Sequence, residues 1–124
     1  MLCHKKEVDI LGLEEEILEL AKKHGWNVEL RRKHGRRIQD LVLEREGLVL
    51  VVQVKDLSSP AGPKAVSQAR QNYQEYLMDL VKHRLGLIVV PVLVSHDFSQ
   101  KAKRRASSYR VKCYMPAELE RLLV

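Results

Sequence analysis

"IQDLVLEREGLVLVVQVK", Ile38 to Lys55, decides how this chain folds. Two runs of alternating and apolar residues flank Arg45-Glu46-Gly47, which predicts a β-hairpin. With the shared turn placed at Glu44 to Gly47, Leu43 faces Leu48 and Asp40 faces Val51. Opposed residues share a sheet face, and side chains alternate along each strand. Asp40, Val51, Gln53 and Lys55 therefore project to one side, with Gln53 a diagonal neighbour of Asp40. A slip of one residue would put them on opposite faces.

An amide and an amine thus end a buried strand on the face of a carboxylate. A hard divalent cation such as Mg2+ takes oxygen ligands, and both Asp40 and the side-chain carbonyl of Gln53 can supply one. Lys55 can orient an attacking water or offset charge on a phosphate. If burial lowered its pKa, it could also act as a general base. The set suits phosphodiester hydrolysis by a metal-activated water. Spacing alone leaves a second reading open, in which Asp40 and Lys55 form an ordinary ion pair and Gln53 satisfies a backbone group.

Outward from the hairpin, residues 9–24 read as a helix, with Leu13, Ile17, Leu20, Ala21 and His24 at helical spacing and Gly25 as its stop. "WNVELR", residues 26–31, alternates as a strand, and "RKHGRR", residues 32–37, is a basic turn. The Ser, Pro and Gly of "DLSSPAGP" mark a loop. Lys64 to Lys82 is a long helix, and "LIVVPVLV" is a strand covered on both faces, with a bend or edge at Pro91. A helix over Ser99–Ser107, a short strand over Val111–Tyr114 and a final helix opened by Pro116 complete the chain. The fold class is α/β: a mixed central β-sheet flanked by helices in the order αβββαβαβα. Tyr73, Tyr76 and Leu77 exceed what one sheet face needs, which leaves room for a homodimer surface.

The length of 124 residues suits one domain, 1–124. The net charge of +6 and pI near 9.5 favour an anionic partner, DNA first. One Trp, one Phe and four Tyr argue against a base-stacking platform. Arg31, Arg32, Lys33, His34, Arg36 and Arg37 flank Gly35 just before the Asp40 strand, where they can contact phosphates. Lys101, Lys103, Arg104 and Arg105 read as a solvated helix face. Cys3 and Cys113 form no metal or redox motif and fit reduced thiols. No run reaches the ~18 apolar residues of a membrane span, and no signal peptide is expected, so a cytoplasmic protein is expected.

"IQDLVLEREGLVLVVQVKD" resembles the core of the PD-(D/E)XK nuclease superfamily, and most closely its Mrr-like restriction endonucleases, which carry a D…QxK motif. "LEEEILELAKKHGWNVE" resembles that family's first helix, which maps its Glu onto Glu14. "GLIVVPVLVSHDFSQKAKRRASSYRVKCYMPAELERLL" resembles its closing strand and last helices. Archaeal Holliday junction resolvases share the first half of the pattern. The resemblance implies a restriction endonuclease-like fold and a site of Glu14, Asp40, Gln53 and Lys55, with Mg2+ or Mn2+ and no small-molecule cofactor. It implies a metal-dependent DNA endonuclease. Its alternatives are a catalytically weak DNA-binding or assembly subunit and a dimeric junction resolvase. Gln39 replaces the Pro of the motif, and Gln53 lowers the negative charge of the site by one. In the RecB-like branch a Gln stands four residues before a Tyr on the helix after the hairpin. Here Asn72 precedes Tyr76 and Ala69 precedes Tyr73, which does not support that branch.

Overall fold

A computed structural model describes the backbone of residues 2–33, 37–55, 59–81 and 86–124, and the side chains of these except 2–11, 32, 33, 37–39 and 81. Among the described residues nine elements follow one another: α1 (Leu2–Lys23), β1 (Asn27–Lys33), β2 (Arg37–Arg45), β3 (Leu48–Val54), α2 (Pro63–Val81), β4 (Ile88–Val94), α3 (Gln100–Tyr109), β5 (Lys112–Tyr114) and α4 (Pro116–Leu123). The order is the expected αβββαβαβα. The strands form one sheet in the order β1-β2-β3-β4-β5. β1, β2 and β3 pair antiparallel, while β3–β4 and β4–β5 are parallel. A parallel neighbour needs a long return path, which α2 provides between β3 and β4.

Alternation along the strands splits the apolar residues between two layers. Leu41, Leu43, Leu50, Val52, Val92 and Val94 point to one face and pack against Leu13, Ile17 and Ala21 of α1 and Leu119 and Leu123 of α4. On the other face Val42, Val49 and Val51 meet Tyr76 of α2, and Leu93 meets Val66, Ala69, Ala102 and Ala106 of α2 and α3. Tyr76 is therefore core, which removes it from the expected dimer surface. Pro91 lies in the part of β4 opposite Val51 that β5, paired only with Val92–Val94, leaves open. That edge suits a residue without an N–H.

Several boundaries differ from the sequence reading, the largest at α1, which starts at Leu2 where residue 9 was expected. The hairpin turn is tighter: Arg45 pairs with Leu48 and Leu43 with Leu50, so every contact moves by two residues from the expected register. Glu46 and Gly47 both have positive φ, 52° and 83°, the backbone of a two-residue hairpin loop whose twist matches its strands. A shift of two residues preserves the faces, so the expected grouping of Asp40 with Gln53 stands. In addition, β1 and β2 run into the basic segment, pairing Arg32 with Ile38 and Lys33 with Arg37, where a turn was expected from residue 32. Residues 34–36 lie outside the described residues.

The C-terminal ends of α1 and α4 are tied together. Trp26, between α1 and β1, donates its indole N–H to the Leu123 carbonyl at 2.9 Å. The Arg45 guanidinium stacks 4.4 Å over the Trp26 ring and donates to the carbonyls of His24 and Leu123, each at 3.2 Å. One side chain thus satisfies the last carbonyls of two helices, groups with no partner inside their own helix. Trp26→Phe keeps one aromatic ring, removes the donor and leaves part of the buried indole volume empty. It is expected to cost about 2 kcal/mol of unfolding free energy, read from the urea midpoint at constant slope.

Candidate active site

β2 and β3 pair from Arg45↔Leu48 to Leu41↔Val52, and there the ladder stops. Asp40 pairs with Arg31 of β1, while Gln53 and Val54 pair with Leu93 and Val94 of β4. The two strands therefore part company where the carboxylate and the amide lie. The β1–β2 register also shifts between Arg31 and Arg32, with partners Asp40 and Ile38, which leaves Gln39 as an extra residue. A bulge of this kind bends its strand and re-aims the next side chain, here that of Asp40.

Asp40 has the parity of Val42, and Gln53 and Lys55 have that of Val51, so all three belong to the face covered by α2. Asp40 is 3 % exposed, and its Oδ2 has no hydrogen-bond partner among the described residues. Burial pushes its carboxyl up to about 6 from an ordinary 3.8. The Arg31 charge pulls the other way, and Glu29 and Glu75 add to the rise. Arg31 itself is occupied: it donates to Asp79 at 2.6 Å and lies 5.3 Å over the Tyr76 ring. No ion pair joins Asp40 to Lys55 among the described residues. Gln53 bonds a side chain, not the backbone, with its Oε1 accepting from Asn72 Nδ2 at 3.1 Å.

Lys55 follows β3, half-buried, with its backbone N–H held by the Val94 carbonyl at 2.9 Å. Glu14 is buried on α1, whose Leu13 and Ile17 pack on the opposite face of the sheet. It therefore belongs to the other helical layer, whereas Asp40, Gln53 and Lys55 share one sheet face. The side chains of Arg32, Lys33, His34, Arg36 and Arg37 lie outside the described residues.

Three residues not singled out as site residues border this group. Asn72 is 2 % exposed and links Gln53 to Gln68, whose Nε2 donates to Asn72 Oδ1 at 2.9 Å. Ser95 follows β4 with the parity of Leu93, is fully buried, and its Oγ has no partner among the described residues. Asn72 carried a legible signal, standing four residues before Tyr76, but its shorter amide hid it. Ser95 gave none, because a serine after an apolar strand reads as a loop residue.

A family model for restriction endonucleases, the Mrr catalytic domain, matches residues 6–123. The chain belongs to this restriction endonuclease family. Among solved structures it is similar to a repair endonuclease from Pyrococcus abyssi, with a TM-score of 0.56 at 18% identity over 90% of this chain and 46% of that one. It is also similar to a protein described as of unknown function, with a TM-score of 0.52 at 20% identity over 81% of this chain and 54% of the other. The chain thus spans about half the length of each, and at these identities the likeness is one of fold. No curated protein matches.

In this restriction endonuclease fold the acidic group is held at a cost. The folded chain keeps the Asp40 proton up to about pH 6, whereas an unfolded carboxyl loses it near 3.8. The folded state therefore binds more protons between these values, and stability falls as the pH rises through them. Asp40→Asn is expected to be more stable than the wild type at pH 8 by about 2–3 kcal/mol. The gain should vanish below about pH 4 in urea titrations at each pH. An equal gain at both pH values would mean that charge burial is not its source.

Proposed function

We propose that this chain is a metal-dependent DNA endonuclease of the Mrr-like type, acting in the cytoplasm. The observation that supports this most directly is the buried Oδ2 of Asp40, without a hydrogen-bond partner among the described residues, on the face of Gln53 where the strands separate. A carboxylate held away from water without a partner is costly, and a cation would offset that cost. One carboxylate and one amide oxygen suit Mg2+ or Mn2+, which fill their remaining positions with water and phosphate oxygens. Among the described residues no group of three or more His, Cys, Asp or Glu could enclose a metal.

Asp40 would be the principal ligand, Gln53 a second oxygen, and Glu14 a holder of the metal or its waters. The bound ion would acidify a water and neutralise charge on the phosphate. Lys55 orients that water and sets its ammonium against the phosphate as charge builds there. The basic segment Arg31, Arg32, Lys33, His34, Arg36 and Arg37 grips the DNA backbone without reading sequence. Arg31, already bonded to Asp79, contributes through its charge near Asp40.

A second reading, a catalytically weak DNA-binding subunit, draws on one observation: the Gln53 oxygen is bonded to Asn72. Plasmid, single-stranded and four-way DNA incubated with Mg2+ or Mn2+ separate the two. The wild type is expected to cut, EDTA to stop it, and Asp40→Ala or Lys55→Ala to lower kcat/KM about 100-fold or more with gel-shift binding retained. Wild type and Asp40→Ala behaving alike on every substrate would leave the binding subunit. A strong preference for four-way DNA would instead mark a junction resolvase, acting as a dimer.

A further inference from the structure

The net charge of the chain lies in one place. Of 22 Lys and Arg and 16 Asp and Glu, residues 98–112 hold six of the first and none of the second, so the rest of the chain carries 16 of each. This stretch is α3 with its cap and the start of β5. Ala102 and Ala106 are the buried side of α3 and pack with Val66, Ala69 and Leu93. On the opposite side Lys101, Arg104 and Ser108 follow one another at spacings of three and four, with Lys103 and Ser107 beside them, all exposed. Arg110 and Lys112 are exposed beyond the helix end. Arg105 is spent on Ser67 and the Pro63 carbonyl. The other five cations form no salt bridge among the described residues.

A solvated surface ordinarily mixes both signs of charge. Here Lys101 stands three and four residues before Arg104 and Arg105, a spacing at which like charges repel. It also lies in the first turn, where the helix dipole disfavours a cation and no acidic residue relieves it. An anion would offset both costs. The face has no large apolar side chain, which a membrane surface would need. Ser107 and Ser108 set small hydroxyl donors beside the cations, which suits phosphate oxygens. The position fits as well. Ser99, the cap of α3, donates its backbone N–H to the Ala61 carbonyl, in the segment that follows Lys55. α3 therefore starts at the end of the sheet where Gln53 and Lys55 stand, and it runs about 15 Å, the length of about four base pairs. We propose that this face of α3, continued by Arg110 and Lys112, is a docking surface for the phosphate backbone of duplex DNA on the flank of the cleavage site. This rests on the reading of the chain as a DNA endonuclease given above. It adds a second backbone contact, on the layer of α2 and α3, to that of Arg31 to Arg37.

Fluorescence anisotropy of a labelled DNA duplex in EDTA, repeated at several KCl concentrations, reads this surface apart from cleavage. The variant Lys101→Ala/Lys103→Ala/Arg104→Ala is expected to bind about tenfold or more weakly at about 0.1 M KCl. Its plot of log K against log [KCl] should be flatter by about 2 to 3, as the loss of three phosphate contacts requires. Lys22→Ala/Lys23→Ala/Arg121→Ala removes the same charge from exposed positions on α1 and α4, across the sheet, and should change the slope by less than about one. A wild-type affinity and slope in the α3 variant overturn the proposal and leave the face to an acidic protein. Equal losses in the two triple variants also overturn it, because net charge and not this face would then set the affinity. The α3 variant is expected to melt at or above the wild type, since it removes charges that oppose their own helix. Should it melt lower, Arg104→Ala alone decides: a slope flatter by about one supports the surface, and an unchanged slope overturns it. With Mg2+ the α3 variant is expected to cleave with raised KM and the wild-type kcat, and an unchanged KM overturns the proposal. Duplex binding that depends on α3 without cleavage by any form would overturn the nuclease reading and leave the surface standing.

Discussion

Pairing between β2 and β3 ends at Leu41↔Val52, and the site depends on that ending. On the paired side the sheet is covered twice, by α1 and α4 on one face and by α2 on the other. Beyond it β2 remains paired to β1 and β3 to β4, so Asp40 and Gln53 are held by different neighbours. Rigid strands thus carry the two polar groups, and no ladder bond has to break for something to lie between them. The bulge at Gln39 makes the same point from the other edge.

The cost of this arrangement falls on Asp40. Its carboxyl is buried against the α2 face, with Oδ2 unmatched among the described residues and its proton held to about pH 6. Arg31 moderates that cost without removing it, because its guanidinium is bonded to Asp79 and stacked on Tyr76. A fully paired Asp40 would stabilise the fold and leave no vacancy in its bonding for a ligand. Functional sites commonly trade stability in this way.

α2 does more than cover a sheet. Its Val66 and Ala69 pack, its Tyr76 closes the core over Val42, Val49 and Val51, and between them Asn72 reaches the end of Gln53. A helix that spaces apolar and amide groups by single turns can tie a strand-end side chain to the core that positions it. The basic face of α3 belongs to the same layer. There Arg105 is spent on Ser67 and the Pro63 carbonyl, while Lys101, Lys103 and Arg104 stay in solvent as expected.

The sequence by itself determined the order of elements, the hairpin, and the common face of Asp40, Gln53 and Lys55. Each rests on local periodicity, and a face survives any even shift of register. It did not determine the turn at Glu46-Gly47, since both a tight and a looser loop fit Arg45-Glu46-Gly47 until the strands pair. Nor did it assign Asn72, Gln68 and Ser95 to the site, because they reach it only through the crossover that lays α2 and β4 beside β3. Whether Asp40 would be partnered was also beyond local pattern. Packing alone decided that Arg31 turns to Asp79 and Gln53 to Asn72, which leaves Oδ2 of the buried Asp40 carboxylate without a hydrogen-bond partner among the described residues.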